Sequence, residues 1–139
     1  MKKLFVITLI VLAVTSCKKE EWAPEGPTDV RVKNLTTAQT FRDVIIKTAG
    51  GRDTTGNIKS LGTIAPGDTS EYQRVTFAYP LAEITAMIDG VLFSTGEFQS
   101  TYLTYISRHR ITYEVYISNM TNRVLKISDV QFEEPLVLK

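Results

Sequence analysis

The stretch Ile111 to Ser118, which reads Ile-Thr-Tyr-Glu-Val-Tyr-Ile-Ser, decides the fold class of this chain of 139 residues. Every second position in it carries a β-branched or aromatic residue of the kind that favours strands. Successive side chains of a strand point to opposite faces of a sheet. We therefore predict a strand that turns one row of side chains to the core and the other row to water or a partner. The predicted core row consists of Ile111, Tyr113, Val115 and Ile117.

The same two-residue period continues along the chain on both sides of this stretch. Eight or nine short strands are predicted, and no segment has the period of a helix. The other predicted strands cover Val30 to Lys33, Phe41 to Thr48, Leu61 to Ile64, Glu71 to Ala78, Ile84 to Asp89, Val91 to Phe93 and Val124 to Gln131.

Turn residues separate these strands. Asp89 and Gly90 predict a two-residue hairpin, because both residues adopt the positive φ that a type I′ turn needs. Pro66 and Gly67 predict a tight turn, since proline presets φ and glycine accepts the left-handed position. Residues 50 to 57 form a predicted polar loop, and residues 119 to 122 join the last two strands.

Many short strands divided by turns are typical of all-β folds. We predict an all-β domain built as an antiparallel two-sheet sandwich of immunoglobulin-like or transthyretin-like type. The alternative is an up-and-down, lipocalin-like barrel.

The amino terminus has the three zones of an export signal. A basic start at Lys2 and Lys3 precedes an apolar run from Leu4 to Val14, and the small residue Ser16 follows. The apolar run is much shorter than the roughly 20 residues that cross a bilayer. This segment therefore predicts a cleaved signal peptide.

The residues Val14-Thr15-Ser16-Cys17 resemble a lipobox, the motif in which the cysteine of a bacterial lipoprotein is lipidated and the signal peptide is cut off just before it. The small Ser16 fits that motif, whereas Val14 and Thr15 depart from its commonest form. The resemblance implies that Cys17 carries palmitate-type acyl chains and anchors the protein. Cys17 is the only cysteine, so lipidation leaves no thiol for a disulfide, a metal site or a nucleophile.

The residues after the cysteine, Lys18-Lys19-Glu20-Glu21, resemble the start of Bacteroidota lipoproteins and their signal for export to the cell surface. The segments Leu61 to Ser70 and Ile111 to Val115 are similar to recurrent parts of small, uncharacterised β-sandwich lipoproteins of that group. The resemblance implies an outer-membrane lipoprotein, exposed at the cell surface or held on the periplasmic face. It transfers no catalytic or binding residue.

These features divide the chain into three parts. Residues 1–16 are the predicted signal peptide, and residues 17–27 are the lipidated cysteine with an extended tether rich in proline and glycine. Residues 28–139 form a single predicted domain, because the mature chain is long enough for one core and too short for two.

Composition excludes some partners. Without the signal peptide, 14 basic side chains face 15 acidic ones. A nucleic-acid-binding protein needs a dense basic face, so no nucleic-acid partner is predicted. The sequence contains no cofactor motif, and we predict neither a cofactor nor a metal.

The sequence contains no convincing catalytic group. His109 is the only histidine, so a Ser/His/Asp triad would depend on it and a zinc site would lack the usual second imidazole. The carboxylates fall mostly at turns or exposed alternations, with no pair that indicates acid and base catalysis. We therefore predict that the protein is not an enzyme.

Five side chains are candidates for contact with a ligand or partner. Tyr102 and Tyr116 could present stacking surfaces to a glycan or a protein. Arg108, Arg110 and Arg123 would form an anion-binding patch if the Ser107 and Val124 strand ends lay at the same pole. The predicted function is a lipid-anchored binding or structural accessory module of the cell envelope. The alternative is a subunit of an envelope assembly that pairs through a β-edge.

Overall fold

The computed structural model describes residues 26–52 and 55–136, except for the side chain of Glu134. The predicted signal peptide, Cys17 and most of the tether lie outside the described residues. This part of the chain contains no helix with the length and hydropathy of a transmembrane span. It is all-β, with a single 3-10 turn at Thr55–Asn57. The eight strands are β1 Thr28–Asn34, β2 Phe41–Lys47, β3 Ile58–Ile64, β4 Gln73–Val75, β5 Glu83–Ile88, β6 Val91–Ser94, β7 His109–Asn119 and β8 Val124–Pro135.

All eight strands belong to one mixed sheet with the order β3-β2-β5-β6-β8-β7-β1-β4. The expectation of a purely antiparallel arrangement is wrong, because β1 runs parallel to β7 over six residue pairs. The strands β6 and β8 are also parallel and meet at one pair, Ser94 and Val124. The remaining neighbours are antiparallel.

The sheet curls until its two ends nearly meet, which makes it barrel-like. Beside the edge strands β3 and β4, the amide of Thr76 donates to the carbonyl of Gly56 at 3.2 Å. The predicted two-sheet sandwich is not confirmed, and the near closure fits the barrel alternative. Its connectivity is not up-and-down, since β1 lies beside β7, which is distant in sequence.

The predicted core row of β7 is confirmed. Ile111, Tyr113 and Val115 have no exposed surface, and Ile117 packs partly buried against the same cluster. The buried hydroxyl of Tyr113 donates to the backbone oxygen of Tyr79 at 2.6 Å, which satisfies it inside an apolar core. Val30 and Val32 of β1 face the same core.

Two predicted turns are also confirmed. Asp89 and Gly90 have φ values of 51° and 76° and connect β5 to β6 as a two-residue hairpin. Gly67 has a φ of 76°, and the amide of Asp68 donates to the carbonyl of Ala65 at 3.0 Å.

The barrel has two ends with different contents. We name the end that holds Thr28, His109 and Pro135 the entry pole, because described residues 26 and 27 enter the fold there. The opposite end, with Asn34 and the β7–β8 hairpin, is the far pole. The loops that follow β2, β4 and β6 meet at the entry pole, where the amide of Ile106 donates to the Ala78 carbonyl at 2.7 Å.

Candidate binding cleft

A concave feature at the entry pole lies between residues 50–52, after β2, and residues 97–103, between β6 and β7. It consists of two adjoining cavities of about 200 and 450 Å³, which share Gly50, Gly51 and Gln99. We call this feature the cleft. The smaller cavity is also lined by Lys47, Glu83, Glu97 and Phe98, and the larger one by Arg52, Tyr79, Ser100, Thr101 and Leu103.

Gly50 holds the two loops together by close packing. Its φ is +59°, and a Cβ atom at this position would lie 2.7 Å from the Phe98 ring and 2.9 Å from the Ser100 Cβ. The Ser100 hydroxyl donates to the Gly50 carbonyl at 3.3 Å. Only glycine fits both the left-handed backbone and this contact.

An aromatic wall supports the cleft. Tyr79 makes edge-to-face contacts with Phe77 and Phe98, with ring centroids 5.9 and 6.2 Å away. The Arg52 guanidinium donates to the Tyr79 hydroxyl at 2.5 Å. Since the ring of Tyr79 is almost fully buried, these contacts fix Arg52 at the surface of the wall.

The smaller cavity combines donors and acceptors. The Lys47 ammonium lies 3.4 Å from the Glu83 carboxylate. Glu97 and Gln99 are exposed at the same cavity, and no described residue pairs with the carboxylate of Glu97. Carboxylate, amide and ammonium groups beside an aromatic ring suit a ligand with several hydroxyl groups, because hydroxyls both donate and accept.

A second polar cluster lies on the outer face of β1, β7 and β8. The Arg31 guanidinium donates to the Glu133 carboxylate at 2.6 Å and to the Thr112 hydroxyl at 2.9 Å. Tyr72 donates its hydroxyl to Glu133, and the Arg31 guanidinium lies 4.4 Å from its ring centroid. The Tyr72 hydroxyl and Arg31 lower the pKa of Glu133, while burial and this carboxylate raise the pKa of Tyr72. These groups satisfy one another, so the cluster is a brace between strands.

The structure separates the three predicted arginines. Arg108 and Arg110 lie at the entry pole, whereas Arg123 lies in the β7–β8 hairpin at the far pole. Arg108 donates to the Gly26 carbonyl at 3.2 Å. Arg110 lies 3.7 Å from the Asp29 carboxylate and 5.3 Å from the ring centroid of Tyr72. The condition for a joint anion patch is therefore not met.

The two predicted tyrosines also lie apart. Tyr102 is 99% exposed in the loop between β6 and β7, and its neighbours Thr101 and Leu103 line the cleft. Tyr116 lies on the outer face of β7, opposite Lys126. Tyr105 lies in the same loop as Tyr102. Whether Tyr102 or Tyr116 contacts a ligand stays a prediction.

The sequence did not single out the residues of the cleft. A polar loop was predicted around Gly50 and Gly51, but nothing local relates it to Phe98 and Gln99, which follow β6. The pairing of Gly50 with a ring 48 positions later becomes visible only in the fold. The sequence does contain two glycine-containing loops with polar flanks at these positions. Such loops are common, so they do not by themselves indicate a binding site.

Within the described ranges, no three His, Cys, Asp or Glu side chains are grouped as ligands for a metal ion. No protein-family model matches the chain, and no curated protein matches it. Among solved structures, it is similar to an NMR structure of a protein from Eubacterium rectale, with 14% sequence identity and a TM-score of 0.50. The match covers 78% of this chain and 95% of the other. It indicates a shared fold and carries no information about activity.

Proposed function

We propose that this protein is a lipid-anchored, non-enzymatic binding module of the bacterial outer membrane. The export signal and the cysteine motif in residues 1–17 support the anchor. The charges that follow Cys17 support a place on the cell surface. Two acyl chains or more hold a protein at a membrane nearly permanently, since each buried CH₂ contributes about 0.8 kcal/mol.

The anchor is tested with Cys17→Ser and the unaltered chain in the native host. The unaltered protein should stay with the membrane fraction and incorporate labelled palmitate, whereas Cys17→Ser should do neither. Protease treatment of intact cells then tests the leaflet, with a periplasmic protein as control. Digestion of this protein alone supports surface exposure, and survival of both proteins places it inside, provided that the extracted protein is protease-sensitive.

The proposed ligand site is the cleft, and the proposed ligand is a glycan. The observation that carries this proposal is the convergence of Glu83, Glu97, Gln99 and Lys47 beside the half-buried ring of Phe98. Sugar hydroxyls need such mixed donors and acceptors, while the apolar face of a sugar ring packs on aromatic rings. The exposed ring of Tyr102 lies next to cleft residues and adds stacking surface at the rim.

The ligand is tested by binding the full-length lipoprotein to a glycan array and then titrating the strongest glycan. Gln99→Ala and Glu97→Gln should each weaken binding about tenfold, the equivalent of roughly 1.4 kcal/mol for a lost polar contact. Glu71→Gln, which changes an exposed carboxylate outside the cleft, should bind as the unaltered protein does. Failure to bind any glycan, or equal loss in Glu71→Gln, contradicts the proposal.

Within the all-β class, we propose that the fold is a two-sheet sandwich. The order of the sheet divides into two halves, β3-β2-β5-β6 and β8-β7-β1-β4, which the pair Ser94 and Val124 joins. We infer that these halves correspond to the two layers of an immunoglobulin-like or transthyretin-like domain.

A second candidate function is favoured by one observation. Beyond Val124, no described strand pairs with β8 on the side that faces away from β7. Unpaired strand edges bind other strands, so a role as a protein-interaction subunit has a definite surface.

A further inference from the structure

The free edge of β8 carries a pattern that is complementary to itself. The register between β7 and β8 shifts by one residue, since Val115 pairs with Ile127 while Glu114 pairs with Asp129. Ser128 is the extra residue of this bulge. On its two sides the alternation is mirrored, with Lys126 and Gln131 on the outer face and Ile127 and Val130 toward the core.

This mirror pattern selects one register for an antiparallel pair of β8 strands. If the twofold axis passes between Ser128 and Asp129, the bulges of both copies lie side by side. Ile127 then lies opposite Val130 of the second copy, and Lys126 lies opposite its Gln131, so every pair shares a face. A shift by one residue sets inward-facing against outward-facing side chains on both sides of the axis, and a shift by two separates the bulges and mismatches the pair between them.

The two ends of this edge also fit each other. At one end, the Phe132 side chain is 58% exposed. At the other end, β8 and residues 95–98 diverge and leave a groove of about 260 Å³, with Leu81, Ala82, Leu125 and Ile127 among its walls. In the register described, Phe132 of each copy lies opposite Leu125 of the other, and the pairing ends there because Ser94 of β6 already pairs with Val124. An exposed aromatic side chain thus meets an apolar groove twice, as a twofold interface requires.

The charged side chains on the outer face of β8 also favour this register. Lys126 is exposed and makes no ion pair with a described residue. Asp129 is exposed and lies opposite Glu114 of β7, which pairs with Lys33 at 3.6 Å. The Asp129 carboxylate accepts hydrogen bonds from the Val130 amide and the Gln131 side chain but makes no ion pair with a described residue. Lys126 would lie diagonally across from Asp129 of the second copy, at a separation that a lysine side chain bridges. Two such ion pairs would form, one on each side of the axis.

We propose that the protein forms a twofold dimer in which the β8 strands of two copies pair antiparallel around Ser128. The partner that fits this edge is a second copy of the chain, because bulge, apolar groove and charge all match under one symmetry operation. The groove shares Glu97 and Phe98 with the cleft. The dimer does not require a bound glycan, however, so glycan binding can fail without affecting it.

Disulfide trapping tests the register directly. In the proposed dimer the two copies of residue 128 lie beside the axis, at a Cα separation of roughly 6 Å by strand geometry, which suits a disulfide. The full-length Ser128→Cys protein, extracted from host membranes and oxidised, should run as a dimer. Ser60→Cys on β3 and the unaltered chain, which keeps Cys17, serve as controls and should remain monomeric. Equal cross-linking of Ser128→Cys and Ser60→Cys would overturn the proposal.

A charge reversal tests the same register without relying on one variant. Lys126→Glu in the Ser128→Cys chain should abolish most of the cross-linked dimer, because it faces Asp129 of the second copy. Adding Asp129→Lys should restore it, since the ion pairs then re-form with opposite sign. Lys59→Glu, which changes a lysine on β3, should leave cross-linking unchanged. If the double variant stays monomeric while its circular dichroism matches the unaltered protein, the register is wrong.

Discussion

At the scale of single residues, Gly50 has the greatest influence on the candidate site. The sequence marks it as part of the predicted polar loop of residues 50 to 57, but not as a packing position. Its backbone lies against Phe98 and Ser100, which belong to a different loop. That contact depends on the fold of the whole chain, so no local pattern could have predicted it.

Gly50→Ala should destabilise the protein and open the cleft. The left-handed φ costs an alanine about 1 kcal/mol, and the clash with the Phe98 ring adds about 1 to 3 kcal/mol. Gly67→Ala is the matched control, because Gly67 has a positive φ of 76° but nothing within 4 Å of its Cβ position. Urea unfolding of both variants measures the difference, and equal destabilisation would show that the packing at Gly50 is unimportant.

Tyr113 should make stability sensitive to alkaline pH. Burial raises the pKa of its hydroxyl, so the folded protein keeps the proton where an unfolded tyrosine, with a pKa of about 10, loses it. A pKa raised by folding contributes stability that is present below pH about 10 and is lost as the pH rises beyond it.

The unfolding free energy of Tyr113→Phe should therefore decrease less between pH 8 and pH 11 than that of the unaltered protein. At pH 8 the substitution should cost about 1 to 3 kcal/mol, because the Tyr79 carbonyl loses its buried donor. Tyr102→Phe, at the most exposed tyrosine, should change neither value. An unaltered alkaline slope in Tyr113→Phe would contradict this explanation.

At the scale of elements, alternation predicted the strands but not their neighbours. The core row of β7 was predictable, because the two-residue period states which side chains face inward. The parallel pairs β1–β7 and β6–β8 were not predictable, because alternation shows which side chains face inward but not which strand lies alongside. The strand predicted at Glu71 to Ala78 is reduced to Gln73–Val75. Beyond it, Thr76 and Ala78 bond to distant loops instead of to a neighbouring strand.

The brace around Glu133 should contribute a small, acid-sensitive stabilisation between β1 and β8. The pKa of Glu133 is lowered by the Tyr72 hydroxyl and by Arg31, so its contribution is present above the unfolded value of about 4.3. It is lost as the pH falls through the lower pKa of the folded protein.

Glu133→Gln should lower the unfolding free energy by about 1 kcal/mol or less at pH 7, because the carboxylate is partly exposed. The difference from the unaltered protein should shrink as the pH falls below about 4. Glu71→Gln is the control and should unfold as the unaltered protein does throughout. A deficit in Glu133→Gln that persists at pH 2 would mean that packing, and not charge, is responsible.

At the scale of the whole molecule, one end of the barrel holds both the chain entry and the cleft. Gly26 lies beside Arg108, at the pole where the loops after β2, β4 and β6 meet. The all-β class and the strand count could be predicted from the sequence, because they follow from period and turn residues, whereas the single mixed sheet could not. The cleft and the free edge of β8 could not, because both arise where distant segments approach and then diverge.

The most direct test of the proposed function is an NMR titration of the isotope-labelled full-length protein with the glycan selected on the array. We predict that amide shifts change at Gly50, Gly51 and Gln99 and in residues 97–103, while those of the far-pole hairpin at Asn119 to Asn122 stay constant. Shift changes spread along β8, or none at saturating glycan, would contradict the assignment of the cleft as the binding site.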